Sequence, residues 1–115
     1  MDILIARELA LSMPDADKRD HFGDPSYRVK TKGGRVFMTQ RIEAHTAVLM
    51  LNMEQQAEPH AHHPGCFIPH PNKWGEKGAT LVMLDEVSER IFKAVLEIAW
   101  RSALRSKASV APKKK

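Results

Sequence analysis

The stretch that decides the fold is Ser26-Tyr27-Arg28-Val29-Lys30-Thr31-Lys32-Gly33-Gly34-Arg35-Val36-Phe37-Met38-Thr39-Gln40-Arg41-Ile42. Two alternating runs, Ser26–Lys32 and Arg35–Ile42, flank a Gly-Gly pair. Both glycines can take positive φ, so the pattern predicts a β-hairpin. A two-residue loop at Gly33-Gly34 sets Lys32 opposite Arg35, Lys30 opposite Phe37, Arg28 opposite Thr39 and Ser26 opposite Arg41. Side chains alternate along a strand, so Arg28, Lys30, Lys32, Arg35 and Arg41 then share one face around Phe37. Tyr27, Val29, Thr31, Val36 and Met38 line the other face. A three-residue loop at Lys32-Gly33-Gly34 would instead send Phe37 into the core with Tyr27 and Val29, and spread the basic residues over both faces.

Working outward, Ile3, Leu4, Ala6, Leu9, Ala10 and Met13 recur at helical spacing, and Pro14 ends that helix. Residues 18–23 predict a short strand, and Gly23-Asp24-Pro25 a turn. His45–Asn52 is a nearly continuous apolar run, as expected of a central strand. Glu54–His63 predicts a short polar helix. Pro64–Gly78 is dense in Pro and Gly and reads as loop. Ala79–Leu84 is a second buried strand. Asp85 or Ser88 can cap a last helix running to about Arg105. Val87, Ile91, Val95, Ile98 and Ser102 form one stripe on it, and Phe92, Leu96, Ala99 and Ala103 a neighbouring one. The expected architecture is α+β: a two-layer sandwich, with N- and C-terminal helices packed on one face of an antiparallel sheet. Residues 1–106 form one domain, and 107–115 a disordered basic tail.

The size fits one domain: 115 residues and 13.0 kDa. Hydrophobic residues at 43% argue against wholesale disorder. One cysteine excludes a disulfide framework and a four-cysteine zinc site. No apolar run approaches the ~20 residues that span a bilayer. The opening Met1-Asp2-Ile3-Leu4-Ile5-Ala6-Arg7 has no basic n-region, so no signal peptide is expected and the location expected is cytoplasmic. The net charge of +4 is uneven. Residues 26–53 carry five basic and one acidic group, and residues 98–115 six basic and none acidic. Such clustering is the electrostatic footprint of a polyanion partner.

His60, His62, His63, Cys66 and His70 fall within eleven residues, and these are metal-ligating types. The spacing matches no zinc finger, so His60, His62, His63 and Cys66 stand only as an alternative ligand set, and no metal or other cofactor is expected. Asp15, Asp17, Asp20 and Asp24 lack the glycine and closing glutamate of a calcium loop. Lys32-Gly33-Gly34-Arg35 fits a hairpin turn, not a phosphate loop. Cys66 beside histidines invites a nucleophile reading, but a lone cysteine is more often an inert small hydrophobe. No catalytic residues are assigned, and no enzyme is expected. Lys73 and Trp74, in the Pro64–Gly78 loop, are the candidates for an alternative ligand- or partner-binding loop.

The order of motifs resembles the MmcQ/YjbR family of small bacterial proteins. The matching pieces are Leu11-Ser12-Met13-Pro14, His21-Phe22-Gly23-Asp24-Pro25-Ser26-Tyr27-Arg28-Val29, Gly34-Arg35-Val36-Phe37-Met38, and Trp74-Gly75-Glu76-Lys77-Gly78 leading into Thr80-Leu81-Val82-Met83-Leu84. Ala99-Trp100-Arg101 closes the series. The resemblance implies a frataxin-like fold and a DNA-binding role. Iron binding in frataxin-like proteins goes with an acidic first helix. Here that helix offers only Asp2, Glu8 and the nearby Asp15, so iron is not expected.

Together these readings predict a non-enzymatic, weakly sequence-specific DNA-binding protein, monomeric or weakly dimeric, with no membrane partner. Arg28, Lys30, Lys32, Arg35 and Arg41 would hold phosphates, and Phe37 would stack on a base.

Overall fold

Asp2 caps the first helix, α1 (Ile3–Leu11), by accepting the Leu4 N–H at 2.9 Å. Its buried side is built from small residues, Ala6 and Ala10. The chain reverses at Asp15, φ 60°, a left-handed conformation that aspartate tolerates. It then enters the strands β1 (Ala16–His21), β2 (Asp24–Val29), β3 (Val36–Arg41) and β4 (Thr46–Met50). Each pairs antiparallel with the next. The helix α2 (Met53–His62) follows, opened by a reciprocal capping box between Asn52 and Gln55. Next come β5 (Phe67–Pro69), the single-turn helix α3 (Lys73–Glu76), β6 (Ala79–Met83) and the long helix α4 (Glu89–Val110). The computed structural model describes residues 1–21, 23–31, 34–71 and 73–110, and only the backbone of His21, Trp74 and residues 105–110.

The six strands form one antiparallel sheet in the order β1-β2-β3-β4-β6-β5. One face carries the core. Tyr27, Phe37, Met38, Leu49, Phe67 and Val82 meet Phe92, Val95, Leu96 and Ala99 of α4 and Ala6 and Ala10 of α1 in a single cluster. Gln55 of α2 donates to the Ser102 hydroxyl of α4 at 2.7 Å, which sets α2 in the same helical layer. This is the two-layer α+β sandwich that the sequence predicts.

Several local expectations change. The predicted loop 64–78 contains both β5 and α3. Phe67 is fully buried and pairs with Val82, so a three-residue apolar run is enough to add an edge strand. Pro69 is tolerated there because an edge strand can leave an N–H side unpaired. The last helix is described to Val110, and 111–115 of the expected tail lie outside the described residues. Ile98 is 36% exposed, so the buried stripe of α4 is Phe92, Val95, Leu96, Ala99 and Ala103. Trp100 is half-buried at the margin of the core, and its Nε1–H donates to the Pro14 carbonyl at 3.0 Å.

The hairpin takes neither simple register. Ser26 pairs Thr39 and Tyr27 pairs Met38, but Arg28 pairs Val36. Phe37 is therefore the extra residue of a β-bulge. A bulge lets two successive side chains lie on one side of the strand. Phe37 and Met38 are both fully buried, and Val36 is turned outward, 37% exposed. The expectation that Phe37 stands among the basic residues, available to stack, is thus corrected: it belongs to the core with Tyr27 and Val29.

Candidate nucleic-acid interface

With all the large helices on one face, the other face of the sheet is open. Its β1–β3 half is polar. Register places Asp17 beside Arg28, Arg19 beside Ser26, and Ser26 beside Thr39, so these side chains stand together on the outer face. Arg41 lies two residues along β3 from Thr39 and is exposed. Arg19, Arg28 and Arg41 therefore cross three adjacent strands on the face opposite α1 and α4.

Two of these arginines already have carboxylate neighbours. Arg19 Nε lies 3.6 Å from Asp17, and Arg41 Nε lies 3.8 Å from Asp24. These contacts are long and solvent-exposed, worth little in stability and easily exchanged. Arg28 sits between them without an ion pair among the described residues. Its side chain is half-buried, and its Nε is shielded from water with no hydrogen-bond partner among those residues. An unsatisfied polar group of this kind is costly, and turning the side chain outward onto an oxyanion would relieve it.

At the hairpin end, Lys30 and Arg35 are both exposed. Their backbones are fixed: the Lys30 N–H donates to the Asp15 carbonyl at 2.7 Å, and the Val29 N–H to the Arg35 carbonyl at 3.1 Å. Lys32 lies outside the described residues. Of the sequence-predicted set, Arg28 and Arg41 share the outer face, Lys30 and Arg35 rim its end, and Phe37 is absent from it. Arg19 was missed because β1 read only as a short strand. The alternation Asp17-Lys18-Arg19-Asp20 would have placed it had β1 been paired to β2.

The histidine cluster does not assemble. His60 Nδ1 engages the Phe67 carbonyl at 2.8 Å, and His62 Nδ1 the Glu58 carbonyl at 3.1 Å. The His63 ring packs edge-on to Phe67 with centroids 6.3 Å apart. Cys66 is a free thiol, partly buried against the core. Among the described residues no group of three or more His, Cys, Asp or Glu side chains could hold a metal ion. His60 ties α2 to β5 instead, and His63 packs on Phe67 of β5. Lys73 is exposed on α3, and the Trp74 side chain lies outside the described residues. Among the described residues no helix is long and apolar enough to cross a membrane.

The sequence profile of the YjbR family matches residues 11–102. The chain belongs to the YjbR family. The YjbR region runs from the end of α1 to α4 and contains the whole sheet. A similar solved structure is that of Deinococcus radiodurans protein DR2400, described as a DUF419 domain. It shares 19% identity and a TM-score of 0.62, covering 96% of this chain and 78% of that one. At that identity the likeness is one of fold. No curated protein matches the sequence. The YjbR fold therefore places the arginine face, and the chemistry of that face has to be argued from its own residues.

Proposed function

We propose that this YjbR protein is a non-enzymatic DNA-binding protein that holds the phosphate backbone on the open face of β1–β3. The observation that carries the reading is Arg28, whose Nε is shielded from solvent and has no hydrogen-bond partner among the described residues. Arg19 and Arg41 flank it, each able to exchange a long carboxylate contact for a phosphate. Lys30 and Arg35 extend the positive field at the hairpin end. Backbone contacts of this kind position a protein on DNA without reading sequence. No Phe, Tyr or Trp is among the described outer-face residues of these strands, so the binding needs no base stacking. Duplex DNA then binds at least as well as single strands.

The test is fluorescence anisotropy of labelled duplex and single-stranded DNA across a salt series. Affinity on the order of micromolar that falls steeply with salt is expected. The triple variant Arg19→Glu, Arg28→Glu, Arg41→Glu should abolish it while remaining folded. Full binding by that folded variant, or no binding by the native protein at low salt, would sink the reading.

A further inference from the structure

The other half of the open face has a different character. Apart from Thr46 and Thr80, β4 and β6 are apolar on both sides, whereas the outer residues of β2, Asp24, Ser26 and Arg28, are polar. A strand covered on one side only should alternate, whereas a near-continuous apolar run belongs to a strand covered on both. Ala47, Leu49 and Val82 point into the helix-covered core. Val48 and Ala79 are also buried, at 5% and 3%, yet they are not part of that core cluster. Met50, Ile68, Leu81 and Met83 are half-buried, and none packs against it. Register aligns them in rows across the sheet: Val48, Leu81 and Ile68 in one, Thr46 and Met83 in another, Met50 and Ala79 in a third. These residues make a second apolar layer, built on the face opposite the helices.

Its dimensions and border limit what can cover it. Strands stand about 4.8 Å apart, so β4, β6 and β5 make a strip roughly 10 Å wide. An α-helix is about 10–12 Å across. The five-residue strands are roughly 17 Å long, about three helical turns. Along the β3 side the strip meets cations: Arg41 is the register partner of Thr46, and Arg28 lies one strand further out. A second copy of the chain leaves this border unmatched. A two-fold axis across the strands lays arginine over arginine. A two-fold axis along them, centred on β6, carries the arginines past the partner's β5 edge and outside the contact.

We propose that the β4-β6-β5 strip is the docking site for an amphipathic helix of another protein, with a row of carboxylates along one side of its apolar stripe. The apolar stripe covers Val48, Leu81, Met83 and Ile68, and the carboxylates meet Arg41 and Arg28. The proposal does not rest on DNA binding, because the strip and the arginines can be altered separately.

The probe is a fluorescent synthetic helix of about 18 residues, with leucines on one stripe and glutamates along one side. Its twin carries lysine for every glutamate. The full-length protein should bind the glutamate peptide and bind the lysine twin at least tenfold more weakly. Leu81→Glu should weaken the glutamate peptide at least tenfold and leave duplex DNA binding unchanged. Ile98→Glu, on the helical layer, should leave the peptide unchanged. Amide resonance shifts of the native protein should concentrate on β4, β5 and β6, which tests the site even if Leu81→Glu fails to fold. Shifts confined to α1 and α4, or equal binding of the two peptides, would overturn the proposal. So would a dimer in sedimentation that Leu81→Glu dissociates. Loss of DNA and peptide together in folded Leu81→Glu would make nucleic acid the occupant instead.

Discussion

The Tyr27 hydroxyl donates to Gln40 Oε1 at 2.7 Å, between side chains that are 0% and 1% exposed. Gln40 Nε2 in turn donates to the Ile3 carbonyl at 2.9 Å. One polar chain thus links β2, β3 and the start of α1 inside an otherwise apolar core. Burial chiefly pushes the Tyr27 phenol up, to about 12, against a smaller opposing pull from Arg7. The phenol is held neutral in the folded state and ionises near 10 once unfolded. Stability from this group is full below pH 10 and is lost as pH rises from 10 through about 12. Two units correspond to about 2–3 kcal/mol. Denaturant unfolding of native protein and Tyr27→Phe between pH 8 and 12 checks this. The variant should be less stable by about 1–3 kcal/mol at pH 8, because Gln40 loses a buried donor. The difference should close toward pH 12, and a constant difference would refute the linkage.

Phe37 contributes packing and no ligand contact. Truncation to Ala should cost about 3–5 kcal/mol. Phe37→Leu, which keeps most of the apolar volume, should leave DNA affinity within twofold in a folded protein. Anisotropy titrations and thermal melts of the two variants decide it. A large loss of DNA affinity in folded Phe37→Leu would return this residue to the binding surface.

The contrast between Phe37 and the rest of the hairpin shows what the sequence could convey. The Gly-Gly pair and the alternating runs announce two strands. The apolar runs 45–52 and 79–84 announce the sheet centre, and the 3.6-residue stripe of α4 its cover. Basic residues between polar partners announce Arg28 and Arg41. The bulge is invisible, because alternation has only two phases and an extra residue shifts the phase midway. β5 is hidden because Phe67-Ile68-Pro69 is too short for a period to show among prolines and glycines. The histidines looked like ligands because residue type and spacing are visible in sequence, and the carbonyl partners that occupy His60 and His62 are not.

Among the three arginines of the open face, Arg28 should matter most to DNA binding. Arg19 and Arg41 must give up Asp17 and Asp24, whereas Arg28 has no ion pair to break among the described residues. Arg28→Ala should weaken duplex binding more than Arg19→Ala or Arg41→Ala. Each lost phosphate contact should flatten the slope of log affinity against log salt by about 0.9. Equal effects from the three single variants would show that only the net charge of the face counts.

Gly78 should tolerate no side chain. Its φ is 117°, a left-handed conformation that L-residues rarely adopt. A Cβ there would stand 2.3 Å from the Leu51 carbonyl oxygen and 2.5 Å from Asn52 Cα. Both are backbone atoms, immediately before the Asn52–Gln55 capping box that starts α2. The loop entering β6 and the end of β4 would have to move apart. Gly78→Ala should therefore cost about 3 kcal/mol, from strain and displaced backbone together. For a chain of this size that is a fall in Tm of roughly 10–20 °C. Asn52→Ala, which removes only the cap, should cost about 1 kcal/mol. Because Gly78 and Asn52 touch, the double variant should cost less than the sum of the two, since a displaced backbone no longer holds the cap to be lost. Thermal melts of the two single variants and the double variant measure that coupling, and strict additivity would separate the glycine contact from the helix start.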